Sequence, residues 1–267
     1  MRGTIFLRSG QYVCFANDVD IIGRNKETVA DLYTRLKREA ARVGLKINVA
    51  TTKYMLAGGT ERDRQRLGSS ITIDGDKFEV VDEFIYLGSL VTADNDTSRE
   101  IRRRIICESR AYYGLHKTLR SRKLHPRTKC TMYKTLIRPV VLYGHETCTM
   151  LEEDLQALEF FERRVLRTIF GGVQENGVWR RRMNHELARL YGEPSIRKVA
   201  QAGSVRWAGH VARMPDNNPT KLVLTSNPAG TRQRGAQRSR WLDQVEQTLG
   251  SIGRQRGWRQ AAMDGVT

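Results

Sequence analysis

The chain has 267 residues, 39% hydrophobic and 28% charged, enough apolar material for two compact units and too much for a disordered chain. Its 46 basic residues outnumber 29 acidic ones, a net charge of +17, so polyanions are the expected partners, because lysine and arginine neutralise phosphates and release their counterions. Arg2 and Arg8 interrupt the start, leaving no apolar signal-peptide core, and no apolar run approaches a membrane span; the expectation is an intracellular protein of nucleus or cytoplasm with no membrane partner.

The charge excess sits in two blocks. Residues 97–140 hold 13 basic and 2 acidic side chains, and residues 197–267 hold 12 and 4; residues 1–96 hold 14 of each. Cys14, Cys107, Cys130 and Cys148 lack the short paired spacings of a zinc site and give no reason to pair as disulfides.

In chain order, residues 3–23 read as a hairpin or small meander. Thr4–Leu7 is apolar, Tyr12–Ala16 is a strand, Asn17-Asp18 is a two-residue break and Val19–Ile22 is the return strand. Val29, Leu32, Leu36, Ala40 and Val43 recur at helical spacing, and Gly44 ends that helix. Leu45–Val49 reads as a short strand leading to Lys53, residues 60–69 as a loop or short exposed helix, and Ile71–Val80 as a hairpin around Asp74-Gly75. Phe84–Gly88 is a further apolar strand.

From Thr97 the period becomes helical. Thr97 and Glu100 have the spacing of a capping box, with Ile101, Ile105, Tyr112, Leu115 and Leu119 forming the buried stripe. Pro126 suits the first turn of a helix running to about Leu136, before Pro139 interrupts it. A second box, Thr149 with Glu152, opens a helix that turns Leu155, Leu158, Phe161, Val165 and Ile169 inward and closes at Gly171-Gly172. Asn184–Tyr191 and Ile196–Met214 are candidate helices, residues 215–235 read as a flexible linker, and Trp241–Leu249 reads as a last short helix.

The segment Tyr12–Arg24, with Phe15-Ala16-Asn17-Asp18 at its turn and Asp20-Ile21-Ile22-Gly23 after it, resembles the motif C hairpin of LINE-type (non-LTR) retrotransposon reverse transcriptases. Gly44–Asn48 with Thr52-Lys53 resembles motif D, and Phe84–Ser89 resembles the following strand that grips the primer. Thr135–Pro139 with Leu142-Tyr143-Gly144, then Leu166–Gly171, resemble the thumb; Val205–Val211 and Arg238–Leu242 resemble the tail of insect-type elements.

The resemblance implies an α+β fold: a partial reverse-transcriptase palm of antiparallel hairpins plus one helix (residues 1–95), a helical thumb (96–172), and a basic, loosely packed helical tail (173–267). It implies an RNA-directed DNA polymerase origin in which Asp18 is a catalytic carboxylate, Lys53 assists proton transfer, and Tyr86, Leu87 and Gly88 support the primer end. Two departures argue against activity. Only 11 residues precede Tyr12, so motifs A and B are expected to be missing from a truncated chain, and Asn17 stands where the family has the first aspartate of a pair. Two Mg2+ ions about 4 Å apart need several anionic oxygens, and an amide supplies one neutral oxygen. No metal site or cofactor is therefore expected here, although the intact family uses Mg2+.

Arg102, Arg103, Arg104, Arg120, Arg122 and Lys123 are candidates to line a template–primer path, and Arg232, Arg234, Arg238 and Arg240 to form a backbone-binding arm. Each candidate has a plainer reading: Asp18 as a turn acid, Lys53 as a solvated lysine, Tyr86 as a sheet residue, the arginines as a salt-laced surface. The functional alternatives are an inactive polymerase fragment, a sequence-tolerant binder of RNA, DNA or hybrid backbones, and a piece of a longer active product. The sequence names no protein partner.

Overall fold

A computed structural model of the protein describes residues 10–226, 240–254 and 256–264. The strand expected at Thr4–Leu7 and the candidates Arg232, Arg234 and Arg238 lie outside them. The chain mixes α and β structure in two compact units, one within Met1–Asp96 and Met214–Gln237, the other within Thr97–Arg213 and Arg238–Thr267.

The first unit opens with the hairpin β1 (Gly10–Phe15) and β2 (Asp18–Gly23). Phe15 pairs with Asp18, so the two-residue turn is Ala16-Asn17, one residue earlier than expected, with Ala16 at φ 53°. That register sets Tyr12 opposite Ile21; the Tyr12 hydroxyl donates to the Leu32 carbonyl at 2.7 Å and Ile21 packs on the core of this unit. Helix α1 (Lys26–Arg42) follows, its first turn capped by the Asn25 side chain. The strand expected at Leu45–Val49 does not form: Leu45 N–H bonds back to Ala40, and the Thr51 and Thr52 amides bond back to Asn48, which winds the segment into turns. The strand comes later, as β3 (Lys53–Tyr54).

Short helix α2 (Glu61–Leu67) carries a Thr60–Asp63 capping box. The expected Asp74-Gly75 hairpin forms as β4 (Ser70–Ile73) and β5 (Asp76–Val80), but β3 joins β5 in parallel, so the unit is not built of antiparallel hairpins alone. A third pair, β6 (Glu83–Tyr86) and β7 (Ser89–Thr92), turns at Leu87-Gly88 with both residues at positive φ. Tyr33, Ile71, Ile73 and Phe78 are the buried core of this unit.

The second unit is helical. Helix α3 (Thr97–Arg120) is followed by α4 (Pro126–Met132), a π turn over Tyr133–Ile137 and α5 (Arg138–Val141). Pro139 does not end this helix near Leu136 as expected. The π turn, in which Arg138 N–H reaches back to Tyr133, widens the coil one turn ahead of the proline and lets the helix run on. Helix α6 (Glu152–Phe170) begins later than the expected box: the Leu151 N–H donates to Asp154, and the Thr149 carbonyl receives the Thr97 hydroxyl instead. Leu155, Leu158, Phe161, Val165 and Ile169 are all buried, as the helical period requires.

A hairpin not anticipated from sequence follows, β8 (Val173–Glu175) and β9 (Val178–Arg180), turning at Asn176-Gly177. Helices α7 (Asn184–Tyr191) and α8 (Ile196–Ala212) then pack on the helical cores through Leu187, Tyr191, Ile196 and Ala200. Part of the segment expected as a linker is helical, α9 (Pro219–Thr225), capped by Asn218. Helices α10 (Trp241–Ser251) and α11 (Trp258–Met263) close the chain, with Val245 and Leu249 buried against Ala208. Helices α7, α8, α10 and α11 thus bury side chains in the helical unit, whereas α9 buries none. Among the described residues no helix is long and apolar enough to cross a membrane.

Within the helical core Glu108 is fully buried, and neither carboxyl oxygen has a hydrogen-bond partner. Burial, reinforced by Glu162 and opposed by Arg164, pushes its carboxyl up to about 9. Below its ordinary value of 4.5 the group is protonated in folded and unfolded chains alike. Between there and about 9 the unfolded chain ionises first, so folding stability falls as pH rises through this window. Glu108→Gln removes that dependence: urea melts at pH 8 are expected to show the variant more stable by roughly 1–3 kcal/mol, with little difference at pH 4. Equal destabilisation at both pH values would show that Glu108 is instead held ionised by an interaction the substitution breaks.

Candidate nucleic-acid interface

In the first unit, Asp18 and Asp20 are two residues apart on β2 and so project from the same face of the hairpin, about 6.5 Å apart along the strand. Asp18 is exposed and Asp20 half-buried, and burial raises the Asp20 carboxyl. The Tyr86 hydroxyl reaches this hairpin, donating to the Val13 carbonyl at 3.1 Å. Its ionisation is pushed up first by burial, then by the charges of Asp20, Cys14 and Asp18. The fold therefore gathers the motif C-like and primer-grip-like residues, with Asp20 on the same face as Asp18. Leu87 and Gly88 occupy the β6–β7 turn beside Tyr86.

Lys53 does not join them. It lies on β3, where its ammonium pairs with Glu79 across the parallel β3–β5 ladder. Among the described residues no group of three or more His, Cys, Asp or Glu side chains could hold a metal ion. His185 is exposed, and His210 stacks on Trp207 with ring centroids 5.3 Å apart.

In the second unit the basic candidates divide. Arg103 and Arg104 grip the buried carboxylate of Glu100, at 2.8 and 2.6 Å, and Arg104 also lies over the Tyr143 ring. Arg102 is exposed on the same helix, as are Arg120 at its end and Arg122 and Lys123 in the turn beyond it. Arg240 is the N-cap of α10, its N–H donating to Asp243. Both acidic residues of the 97–140 segment, Glu100 and Glu108, are buried, at 5% and 0% exposure. Every exposed charge on that segment is consequently positive, an outcome that residue counts alone do not contain.

The two kinds of arginine are separable by stability. Arg104→Ala is expected to destabilise the chain by about 1–3 kcal/mol, because it strips a charge-assisted bond from a buried carboxylate, whereas Arg102→Ala should stay within about 0.5 kcal/mol. Denaturant midpoints check this; equal losses for the two variants would contradict the division.

The chain is 26% identical over 240 residues to an uncharacterized transposon-derived protein of Caenorhabditis elegans, an alignment covering 88% of this chain and 84% of that protein. No protein-family profile matches the chain. No solved structure matches it.

Proposed function

We propose that the chain is the product of a transposable element, degenerate kin of a LINE-type reverse transcriptase, that holds nucleic-acid backbones and does not extend a primer by itself. The order of the motif-like segments and the similarity to a transposon-derived protein over most of both chains support the origin. The observation that carries the binding role is the burial of Glu100 and Glu108, which leaves the exposed charge of residues 97–140 wholly positive. Helix α3, 24 residues long, presents this charge over roughly 36 Å, the length of about one turn of duplex. Such contacts are to phosphates, and they tolerate any sequence in RNA, DNA or their hybrid.

The case against polymerisation is electrostatic. Asn17 contributes no charge at the hairpin turn, and Asp18 and Asp20 are spaced along a strand with one of them half-buried. Nucleotidyl transfer in the family needs Mg2+, and this pair offers too little negative charge to hold two such ions close together.

Binding of a fluorescent RNA–DNA hybrid to the full chain across a salt series tests the first part. Tight binding with a steep salt slope is expected. Replacing Arg102, Arg110 and Lys117, which share one side of α3, by Gln should flatten the slope by up to about 3. Weak binding that salt leaves unchanged would sink the proposal. Primer extension tests the second part: the chain and its Asn17→Asp variant should both be inactive, and template-dependent synthesis that Asp18→Ala abolishes would overturn it.

A further inference from the structure

The C-terminal ends of α3 and α6 and the β8–β9 hairpin border a cavity of about 450 Å3, lined by Arg120, Arg164, Arg167 and Arg181 together with His116 and Thr168. Among the described residues none of these four arginines is ion-paired to a carboxylate, although their neighbours are: Arg163 pairs with Glu159, and Arg180 with Glu175 and Glu186. Glu108, the acid that faces Arg164, is kept neutral by burial. Two helix C-termini account for only about one negative charge between them, so the dipoles do not balance four guanidinium groups.

Two of the arginines are also held in place, while Arg120 and Arg181 are exposed. Arg164 lies over the rings of Tyr112 and Phe161, 5.1 and 5.2 Å from their centroids, and donates to the Ser109 hydroxyl at 3.2 Å. Arg167 donates to the Asn184 side chain at 2.7 Å. The Nε atoms of both are buried without a partner. Cations fixed in this way on a cavity wall are organised for an anion before it arrives.

An indole that does not itself line the cavity packs on one residue of its wall. Trp179 on β9 is 71% exposed, and its ring lies 3.4 Å from where a Cβ on Gly172, a residue of the cavity wall, would sit. The hairpin that carries it is rooted by the Arg180 guanidinium, whose two nitrogens each donate to Glu186 at 2.9 Å. An open aromatic face beside a cluster of guanidinium groups matches a base and its phosphates, and the volume falls in the range of small-ligand pockets.

We infer that this cleft receives an unpaired nucleotide of a single-stranded nucleic-acid segment, its phosphates held by Arg120, Arg167 and Arg181 and its base stacked on Trp179. The inference rests on the nucleic-acid-binding reading above and adds to it a place where the single strand leaves the duplex-binding surface. Sugar and base edges meet no fixed set of polar groups here, so stacking and charge set the affinity, with little sequence preference.

The test compares a blunt RNA–DNA hybrid with the same hybrid carrying an overhang of about six nucleotides, both binding the full chain. The overhang is expected to tighten binding about 10-fold. Trp179→Ala should erase that advantage while blunt-hybrid affinity stays within about twofold. Arg181→Gln should also weaken the overhang substrate and lower its salt slope by about 1. Both side chains are exposed, so the variants should melt like the parent chain. Binding of both substrates without an overhang advantage, or an advantage intact in Trp179→Ala, overturns this inference alone. Salt-insensitive, negligible binding of both overturns the broader nucleic-acid reading as well.

Discussion

The helical unit buries four carboxylates, Glu100, Glu108, Asp154 and Glu162, and the partners that two of them take tie its helices to one another. Glu162 on α6 accepts the Tyr133 hydroxyl from the π turn at 3.0 Å and the Ile196 N–H at the start of α8 at 2.9 Å. Asp154 accepts the Ser98 hydroxyl from α3 and the Leu151 N–H from its own cap. Each acid therefore fixes the axial position of one helix against another inside an otherwise apolar cluster, where a slip of one residue would strand a charge. Burial still raises the Glu162 carboxyl above its ordinary range, so its hydrogen bonds only partly offset the desolvation. Glu108 is the one of these acids with no such partner, and it resolves the conflict by keeping its proton.

On residues 97–140 both acids are buried, which leaves only bases outside. Glu100 binds Arg103 and Arg104 at the first turns of α3, and beyond them the exposed charges of the helix meet no acid on their own segment. Like charges at such density repel one another and weigh against the compact state. A polyanion laid along the surface removes that repulsion, so folding and binding are coupled through the same residues. The link from sequence to function thus runs through burial: a count of 13 basic and 2 acidic residues becomes a one-sign surface only because packing hides the 2.

Features governed by local period were legible in the sequence. The stripe Leu155, Leu158, Phe161, Val165 and Ile169 was readable because each residue lies about one helical turn from the next. Asp74-Gly75 announced its hairpin because few residues other than Gly, Asn and Asp accept the backbone angles of that turn. What escaped was set by distant partners. The Ala16-Asn17 turn is chosen by a register that seats Tyr12 and Ile21 on α1 and the core, not by the Asn-Asp pair itself. The cleft assembles residues from position 116 to position 181 and has no local signal; only the doublet Gly171-Gly172 and the run Arg180-Arg181-Arg182 hint that something besides packing occupies that stretch.

Stability treats the two candidate regions differently. At the hairpin, Asn17 suits a tight turn as well as an aspartate would, so the fold there does not depend on which of the two it carries. The arginine cleft is the reverse case. Four guanidinium groups without carboxylates and two buried Nε donors without partners weigh against the folded state, offset in part where Arg164 lies over Tyr112 and Phe161 and Arg167 donates to Asn184. Local choices that cost stability in this way cluster where a protein serves something besides its own packing.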